Sequence, residues 1–415
     1  MADSQIFAID SFYTAGGKLD IGSTEPLSVA FIGGSLTEGE IDYEGTSLED
    51  GRLKWANVVL KFLGGLFPFR RITAVNAGLG GTRSEYGAIR FERDVLSSSP
   101  DIVFIEFSCN DRATGEAGFD EAGKRDMLIY LESMIRQCMA AKKVPVIIYQ
   151  HVPLPLDNDV LRYYRKGCEL KQELLDYYSI GTVDAMADVM AEFEAQKKAN
   201  PSLTLRDFYM QYYKLTENGS FDVHPYASGY MLFAVSVINA LAKHPEKYFK
   251  AFEMKKELFC DRYADIIGER YSYVPASSER ITHFGEWTLH TAENKYESDD
   301  PELLIREAKY VQKHQFHEGI MQTFTKNGAG FSFETEADRI TMPHVSAKAG
   351  RGATVYADGA KVGSITCRSR WHGMNYFDTW VDLPKGKKTV RFEIEDASCG
   401  ATVFRYGYIV EAFRK

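Results

Sequence analysis

Ser35 lies directly after a run of apolar residues, Leu27–Gly33, that has the composition of a buried strand. In a doubly wound α/β sheet, ligands bind at the carboxyl ends of the strands. Ser35 therefore stands where a catalytic hydroxyl would be placed. The two glycines before it allow a tight turn and a close approach of substrate. A serine that caps a helix or starts a turn is the alternative for this position.

Three further segments carry groups that acyl transfer needs. They are residues 76–82 (NAGLGGT), 107–111 (FSCND) and 222–225 (DVHP). The first two end predicted strands, and the last precedes a predicted helix. With Ser35 they supply a hydroxyl, a backbone N–H in a glycine-rich loop, an amide side chain and an imidazole. Acyl transfer uses such groups as nucleophile, oxyanion donors and general base.

In this order, GGSLT, NAGLGGT, SCND and DVHP resemble the four sequence blocks of the SGNH (GDSL-like) hydrolases. The resemblance covers about the first 245 residues. It implies a flavodoxin-like three-layer α/β domain and a serine esterase or acyl-transfer mechanism without a metal or cofactor. It also implies that Ser35 is the nucleophile and His224 the general base. The implied oxyanion hole consists of the backbone N–H groups of Ser35 and Gly81 and the side chain of Asn110.

Two positions depart from the family pattern. Ser108 stands where the third block usually begins with glycine, and keeps a small residue there. The last block usually has an acid three residues before the histidine, but Phe221 occupies that position. The nearest acid, Asp222, is two residues before His224, and in an extended segment their side chains point the same way. Asp222 is therefore the candidate third member of a triad, and a backbone carbonyl in a Ser-His dyad is the alternative.

Four residues are candidates for substrate binding: Arg83, Tyr86, His151 and Trp371. Arg83 and Tyr86 follow the glycine-rich loop, and His151 ends a predicted strand at the functional edge of the sheet. Trp371 lies in a polar run, residues 368–375, where an exposed ring could stack on a sugar. A structural role on the surface or in the core is the alternative for each of them.

The elements that must position these groups follow a regular alternation. Strands are predicted over residues 27–33, 71–77, 101–107, 144–150 and, more weakly, 181–186. Helices are predicted over about residues 53–66, 84–96, 121–142, 161–178 and 227–243. Near-continuous Val, Ile and Phe runs indicate strands that are buried on both faces. The alternation predicts an α/β sandwich with a parallel sheet.

The pattern changes after residue 245, so we expect residues 1–245 to form the catalytic domain. Residues 246–272 are charged and aromatic and predict a helical connector. Residues 273–415 contain about eight short alternating runs, with a hairpin signal at Asp358-Gly359. These runs predict a β-sandwich of the jelly-roll type. It is similar to the jelly rolls that accompany some SGNH carbohydrate esterases, and is a candidate for contact with carbohydrate.

Composition excludes several other classes of protein. The 415 residues are 45% hydrophobic and 26% charged, which is the balance of a globular chain rather than a disordered one. The net charge of −9 argues against non-specific nucleic-acid binding. No run is long enough to span a membrane, and no secretory signal is visible at the N-terminus. The six scattered cysteines suggest reduced thiols, so we expect a cytoplasmic protein.

The sequence favours no metal site. His314 and His317 lie close together, with His283, His290 and His344 elsewhere in the same half, but they do not form an HExxH motif.

We therefore predict a carbohydrate esterase that removes acetyl groups from oligo- or polysaccharides. Its partner is an acetylated oligosaccharide, with no nucleic acid, no membrane and an open oligomeric state. A thioesterase, a lipase or an acyltransferase could use the same residues. A non-catalytic carbohydrate-binding protein is the alternative of a different class, favoured by the unusual DVHP segment.

Overall fold

A computed structural model of the protein divides into two compact units, Met1–Ile267 and Gly268–Lys415. The structure describes residues 13–14, 17–18, 24–39, 54–111, 119–154, 159–248, 254–290, 320–323, 328–345, 352–366, 375–376, 380–394 and 403–414. Each unit has hydrophobic core residues of its own. Separate cores are expected of separate domains.

A five-stranded parallel sheet forms the centre of the N-terminal unit. Its strands, which follow a ribbon of β1 (Tyr13–Thr14) and β2 (Gly17–Lys18), are β3 (Leu27–Gly33), β4 (Ile72–Gly78), β5 (Ile102–Glu106), β6 (Val144–Tyr149) and β7 (Thr182–Asp184). They lie in the order β4-β3-β5-β6-β7. Every residue of β5 and β6 is buried, as their continuous apolar runs predict. β4 forms an edge of the sheet and is partly exposed.

Helices cover both faces of this sheet. They are α1 (Ser35–Glu38), α2 (Trp55–Leu66), α3 (Ser84–Asp94), α4 (Glu121–Ala140), α5 (Asp159–Tyr178), α6 (Ala185–Ala199), α7 (Leu205–Met210), α8 (Ala227–Lys243), α9 (Pro245–Tyr248) and α10 (Ala264–Ile267), with 3-10 turns at Leu96–Ser98 and Asp261–Tyr263. α3, α4 and α5 share a core with one sheet face. α2, α6, α7 and α8 share a core with the other. The predicted three-layer α/β fold is confirmed.

A short antiparallel hairpin precedes α8. It consists of β8 (Tyr213–Leu215) and β9 (Phe221–Pro225). Tyr213 pairs with Pro225 and Leu215 pairs with Phe221, so two steps along β8 match four steps along β9. Residues 222–224 therefore bulge opposite Lys214. Bulges of this kind re-aim side chains and are common beside active sites.

Residues 254–267 belong to the N-terminal unit and contact its helix α4. The carboxylate of Glu132, a fully buried residue of α4, accepts hydrogen bonds from the backbone N–H groups of Phe259 (2.7 Å) and Cys260 (2.8 Å). The Tyr178 hydroxyl donates to the same carboxylate. The boundary between the compact units thus falls after Ile267, inside the predicted connector of residues 246–272.

Antiparallel sheets form the C-terminal unit. Its strands are β10 (Arg270–Pro275), β11 (Thr282–Phe284), β12 (Thr288–His290), β13 (Ile320–Thr323), β14 (Gly330–Thr335), β15 (Arg339–Thr341), β16 (His344–Val345), β17 (Gly352–Ala357), β18 (Ala360–Thr366), β19 (Asn375–Tyr376), β20 (Val381–Asp382), β21 (Lys388–Ile394), β22 (Phe404–Tyr406) and β23 (Tyr408–Phe413). A four-stranded sheet has the order β10-β23-β15-β20, and a five-stranded sheet has the order β11-β14-β21-β17-β18. Apolar residues of both sheets share one core, which confirms the predicted β-sandwich.

Both large sheets pair strands that are distant in the chain, such as β10 with β23 and β14 with β21. Pairing of distant strands is a feature of jelly rolls, and the jelly-roll topology stays a prediction. The predicted hairpin at Asp358-Gly359 joins β17 to β18, and both turn residues have the positive φ that such a hairpin requires. Within the part of the chain that the structure describes, no helix combines the length and the apolar character needed to cross a membrane.

Candidate active site

Ser35 opens the short helix α1 directly after β3. The turn requires glycine at position 34, because a Cβ atom there would lie 2.5 Å from Asn110 Nδ2, closer than non-bonded atoms approach. The indole N–H of Trp55 donates to the Leu36 carbonyl oxygen at 3.0 Å and holds α1 in place. Ser35 is half-buried, so part of its surface remains accessible.

The hairpin strand β9 brings an imidazole to this serine. Ser35 Oγ and His224 Nε2 are 2.8 Å apart. Asp222 Oδ1 lies 2.8 Å from His224 Nδ1 and also accepts a hydrogen bond from the His224 backbone N–H at 2.9 Å. This pairing requires a proton on Nδ1, which leaves the lone pair of Nε2 free to accept from the Ser35 hydroxyl.

The bulge in β9 explains how an acid two residues before the histidine reaches the imidazole. Residues two apart on a strand project from the same face, and the bulge lets Asp222 and His224 approach each other there. Their side chains are 31% and 24% exposed, so the pair lies at the surface end of the site rather than in the core.

The three candidate oxyanion donors belong to Ser35, Gly81 and Asn110. Gly81 has φ +73°, a conformation that favours glycine, and it is exposed. Among the described residues, no hydrogen bond uses the backbone N–H of Ser35 or of Gly81. The Asn110 amide donates to the Thr82 carbonyl oxygen at 2.8 Å, and that bond uses one of its two N–H groups.

Polar contacts hold the glycine-rich loop at both ends. The Gly80 backbone N–H donates to Glu38 Oε2 at 2.8 Å, which links the loop to the end of α1. The Ser84 backbone N–H donates to Asp111 Oδ1 at 3.0 Å, and Lys171 Nζ donates to the Asp111 carbonyl oxygen at 2.9 Å. Burial raises the pKa of the Asp111 carboxyl, and the Lys171 ammonium opposes the rise. The loop that carries Gly81 is therefore bonded to α1 through Gly80, and it leads into α3, whose first residue is bonded to Asp111.

A buried carboxyl lies beneath these groups. Glu106 ends β5 and is 1% exposed. Thr37 Oγ1 donates to its Oε2 at 3.1 Å, and Ser108 Oγ donates to its Oε1 at 3.3 Å. Burial raises the pKa of Glu106 to about 7, and these two hydrogen bonds oppose the rise. The sequence assigns Glu106 only to a strand; a lone acid at the carboxyl end of an apolar strand is the signal that identifies it.

Two of the predicted substrate-binding residues turn into the core. Tyr86 is 3% exposed, and the Arg90 guanidinium lies 5.7 Å from its ring centroid. His151 is 1% exposed, and its Nδ1 and Nε2 atoms lie 2.8 Å and 3.3 Å from the hydroxyls of Tyr213 and Tyr209. Burial lowers the pKa of His151 to about 3, so the ring is neutral. The predicted contact of Tyr86 and His151 with substrate does not agree with this burial.

The other two predicted contacts have different outcomes. Arg83 is exposed and directly precedes α3, beside the glycine-rich loop. A role in substrate binding stays a prediction for this residue. Trp371 lies outside the described residues.

The described residues contain no cluster of three His, Cys, Asp or Glu side chains that could hold a metal ion. His283 Nε2 lies 2.7 Å from the Tyr406 hydroxyl, and burial lowers the pKa of His283 to about 4. His314 and His317 lie outside the described residues.

The parallel sheet and the groups gathered at the carboxyl ends of its strands resemble those of the SGNH hydrolases. Residues 31–232, from β3 into α8, match the GDSL-like Lipase/Acylhydrolase family. This match lies wholly within the N-terminal unit. A search of curated proteins finds no match.

Known crystal structures of similar fold include a two-domain esterase. A two-domain esterase, CEX, active on acetylated mannans, has a TM-score of 0.65 and 18% identity, over 94% of this chain and 92% of that chain. Its structure co-crystallised with mannopentaose has a TM-score of 0.66 at the same identity and coverage. The acetylxylan esterase Axe2 from Geobacillus stearothermophilus covers 55% of this chain, with 18% identity and a TM-score of 0.38. The CEX structures share the fold over 94% of this chain.

Proposed function

We propose that the protein is a serine esterase that removes acetyl groups from oligo- or polysaccharides. The observation that carries this proposal is the continuous hydrogen-bonded arrangement of Ser35, His224 and Asp222. An imidazole held by a carboxylate and placed on a serine hydroxyl is the arrangement that activates serine for attack on an ester.

In this mechanism the Ser35 hydroxyl attacks the carbonyl carbon of the acetyl ester. His224 Nε2 takes the hydroxyl proton as the new C–O bond forms. Asp222 holds the proton on Nδ1 and stabilises the imidazolium. The carbonyl oxygen becomes an oxyanion, which accepts hydrogen bonds from the Ser35 and Gly81 N–H groups and the Asn110 amide.

His224 then gives its proton to the sugar oxygen, and the bond between that oxygen and the acyl carbon breaks. An acetyl-enzyme on Ser35 remains. Water attacks this ester while His224 takes a proton from it, and acetate leaves as Ser35 regains its hydrogen. The same donors stabilise the second oxyanion, so each of these groups acts in both half-reactions.

The carbohydrate part of the proposal is supported by the fold that 94% of this chain shares with an esterase active on acetylated mannans. That esterase was also co-crystallised with mannopentaose. An acetylated oligosaccharide is therefore the substrate class to test first.

A fluorophosphonate probe tests the nucleophile. We expect covalent labelling of Ser35, located by peptide mass spectrometry, and its loss in Ser35→Ala. Replacement of a triad serine lowers kcat by about 10⁴-fold or more, so hydrolysis of an aryl acetate should disappear with labelling. Ser97→Ala, at an exposed serine, is the matched control and should keep both. Absence of labelling in a folded wild-type protein would favour a non-catalytic binding protein.

Acetate release tests the substrate. Fragments of acetylated mannan, xylan and xanthan are compared with acyl-CoA and long-chain esters at equal ester concentration. We expect kcat/KM to be highest for at least one acetylated oligosaccharide. A preference for acyl-CoA would indicate a thioesterase or acyltransferase, and a preference for long-chain esters would indicate a lipase.

A further inference from the structure

Glu106 connects two parts of the site, the turn that carries Ser35 and the loop that carries Asn110. Catalysis requires a fixed distance between them. Its Oε2 accepts from Thr37, two residues after Ser35 on α1. Its Oε1 accepts from Ser108, two residues before Asn110. Its backbone carbonyl oxygen accepts from the Gly34 N–H at 3.3 Å. The turn that carries the nucleophile and the loop that carries the oxyanion amide are thus both bound to one residue.

The surroundings of this carboxyl disfavour a negative charge. Its hydrogen-bond partners, Thr37, Ser108 and the backbone of Cys109, are neutral. The Asp111 carboxyl, on the same loop, raises the pKa of Glu106 further, beyond the larger effect of burial. These donors favour the charged form, but burial outweighs them, so Glu106 holds its proton more tightly than an exposed glutamate does.

Two groups of α5 complete this environment. The Tyr164 hydroxyl donates to the Gln150 carbonyl oxygen, and burial raises the pKa of Tyr164 well above its usual 10. Burial raises the pKa of Cys168, beside Tyr164, to about 11. Neither group carries charge near neutral pH. The charged group that α5 brings to this loop is Lys171, which donates to the Asp111 carbonyl oxygen at 2.9 Å and opposes the rise of the Asp111 pKa.

We propose that Glu106 is a positioning residue that joins the turn of Ser35 to the loop of Asn110, and that the esterase works with this carboxyl in its neutral form. The inference rests on the proposed function, because it concerns the oxyanion of that reaction. A neutral carboxyl keeps its hydrogen bonds to both segments and adds no charge to the site.

Ionisation of Glu106 would oppose the reaction. A negative charge in a buried site acts strongly on neighbouring charges, because few water molecules screen it. The hydrogen bonds of Glu106 go to α1 and the Asn110 loop, whereas His224 lies on the separate hairpin strand β9. Glu106 is hydrogen-bonded to the segments that carry two of the three oxyanion donors, Ser35 and Asn110, so a charge on it would oppose the oxyanion that these donors hold.

The test is the pH profile of kcat/KM for an aryl acetate, measured between about pH 5 and pH 9. In the wild type we expect a fall of roughly tenfold on the alkaline side as Glu106 ionises. Glu106→Gln has the same shape and no charge to gain. It should stay within about threefold of the wild-type maximum and lack the alkaline fall. The same alkaline fall in Glu106→Gln, or a loss of about 100-fold at every pH, would overturn the inference.

A second variant keeps the Glu106 carboxyl and removes one of its hydrogen-bond donors. The Thr37 hydroxyl lowers the pKa of Glu106, so Thr37→Val should move the alkaline fall to higher pH. An unchanged or lower midpoint would contradict the proposed role of Glu106. Glu132→Gln is the matched control, since Glu132 is equally buried and its hydrogen bonds go to Tyr178, Phe259 and Cys260. Its pH profile should follow the wild type.

Ser35→Ala separates the two proposals. If the wild type does not hydrolyse acetyl esters, or if Ser35→Ala hydrolyses them equally well, the proposed function fails and this inference fails with it. If hydrolysis depends on Ser35 while Glu106→Gln keeps the alkaline fall, only the inference about Glu106 fails.

Discussion

Replacing Glu106 by glutamine should make the stability of the N-terminal unit less dependent on pH. In the folded protein, burial raises the pKa of this carboxyl from its usual 4.5 to about 7. The folded state therefore binds the proton more tightly than the unfolded chain does. The stabilising effect of this bound proton is fully present below pH 4.5 and is lost as the pH rises through 7. The rise of the Glu106 pKa from 4.5 to about 7 corresponds to about 3 kcal/mol of unfolding free energy.

Glutamine does not titrate, so the variant lacks this loss. We expect the unfolding free energy of Glu106→Gln, minus that of the wild type, to increase by about 3 kcal/mol between pH 4.5 and pH 8. Equilibrium urea denaturation of the full chain measures it, with pulse-labelling hydrogen exchange of β5 peptides to report on the N-terminal unit alone. Ser35→Ala keeps Glu106 and should show the wild-type pH dependence. A difference that stays constant across this range would mean that Glu106 is ionised in the folded protein at low pH, and would refute the reasoning.

Three other variants test the positions of the site residues. Asp222→Asn should lower kcat at least 100-fold by favouring the wrong tautomer of His224; a change below about tenfold, or 1.4 kcal/mol of barrier, would indicate a dyad instead. Gly34→Ala should lower kcat/KM of an aryl acetate by about 100-fold with little change in Tm, because its Cβ atom would meet Asn110 Nδ2 at 2.5 Å; near-wild-type activity would show that the amide does not need this position. Tyr213→Phe should lower the unfolding free energy by about 1–3 kcal/mol, since the buried ring of His151 loses its partner on Nδ1; a urea midpoint equal to that of the wild type would contradict this.

The strand runs and the four motifs could be predicted from sequence because each depends on local chemistry. β3 spans the predicted residues 27–33, and α8 spans the predicted residues 227–243. Parallel strands bring their carboxyl ends to one edge of the sheet. The approach of His224 to Ser35, from 189 positions further along the chain, therefore follows from the order of the elements.

The direction of side chains at the end of a strand could not be predicted in the same way. His151 follows β6 at the functional edge, but two tyrosines from the segment after α6 cover it and bond to both ring nitrogens. Glu106 is the opposite case. Its carboxyl belongs to an apolar strand, and hydrogen bonds from Thr37 and Ser108 link it to the site. Both outcomes depend on contacts between distant parts of the chain.

The carboxylate of Glu132 has a consequence for how this chain can be divided and recombined. Two of its hydrogen-bond donors belong to Phe259 and Cys260, beyond the point where the α/β sequence pattern ends. A chain cut at residue 245 would lose both of these hydrogen bonds and the packing of residues 258–267 on the same core. The transferable module, in gene fusion or in evolution, is therefore the α/β fold together with its tail to Ile267.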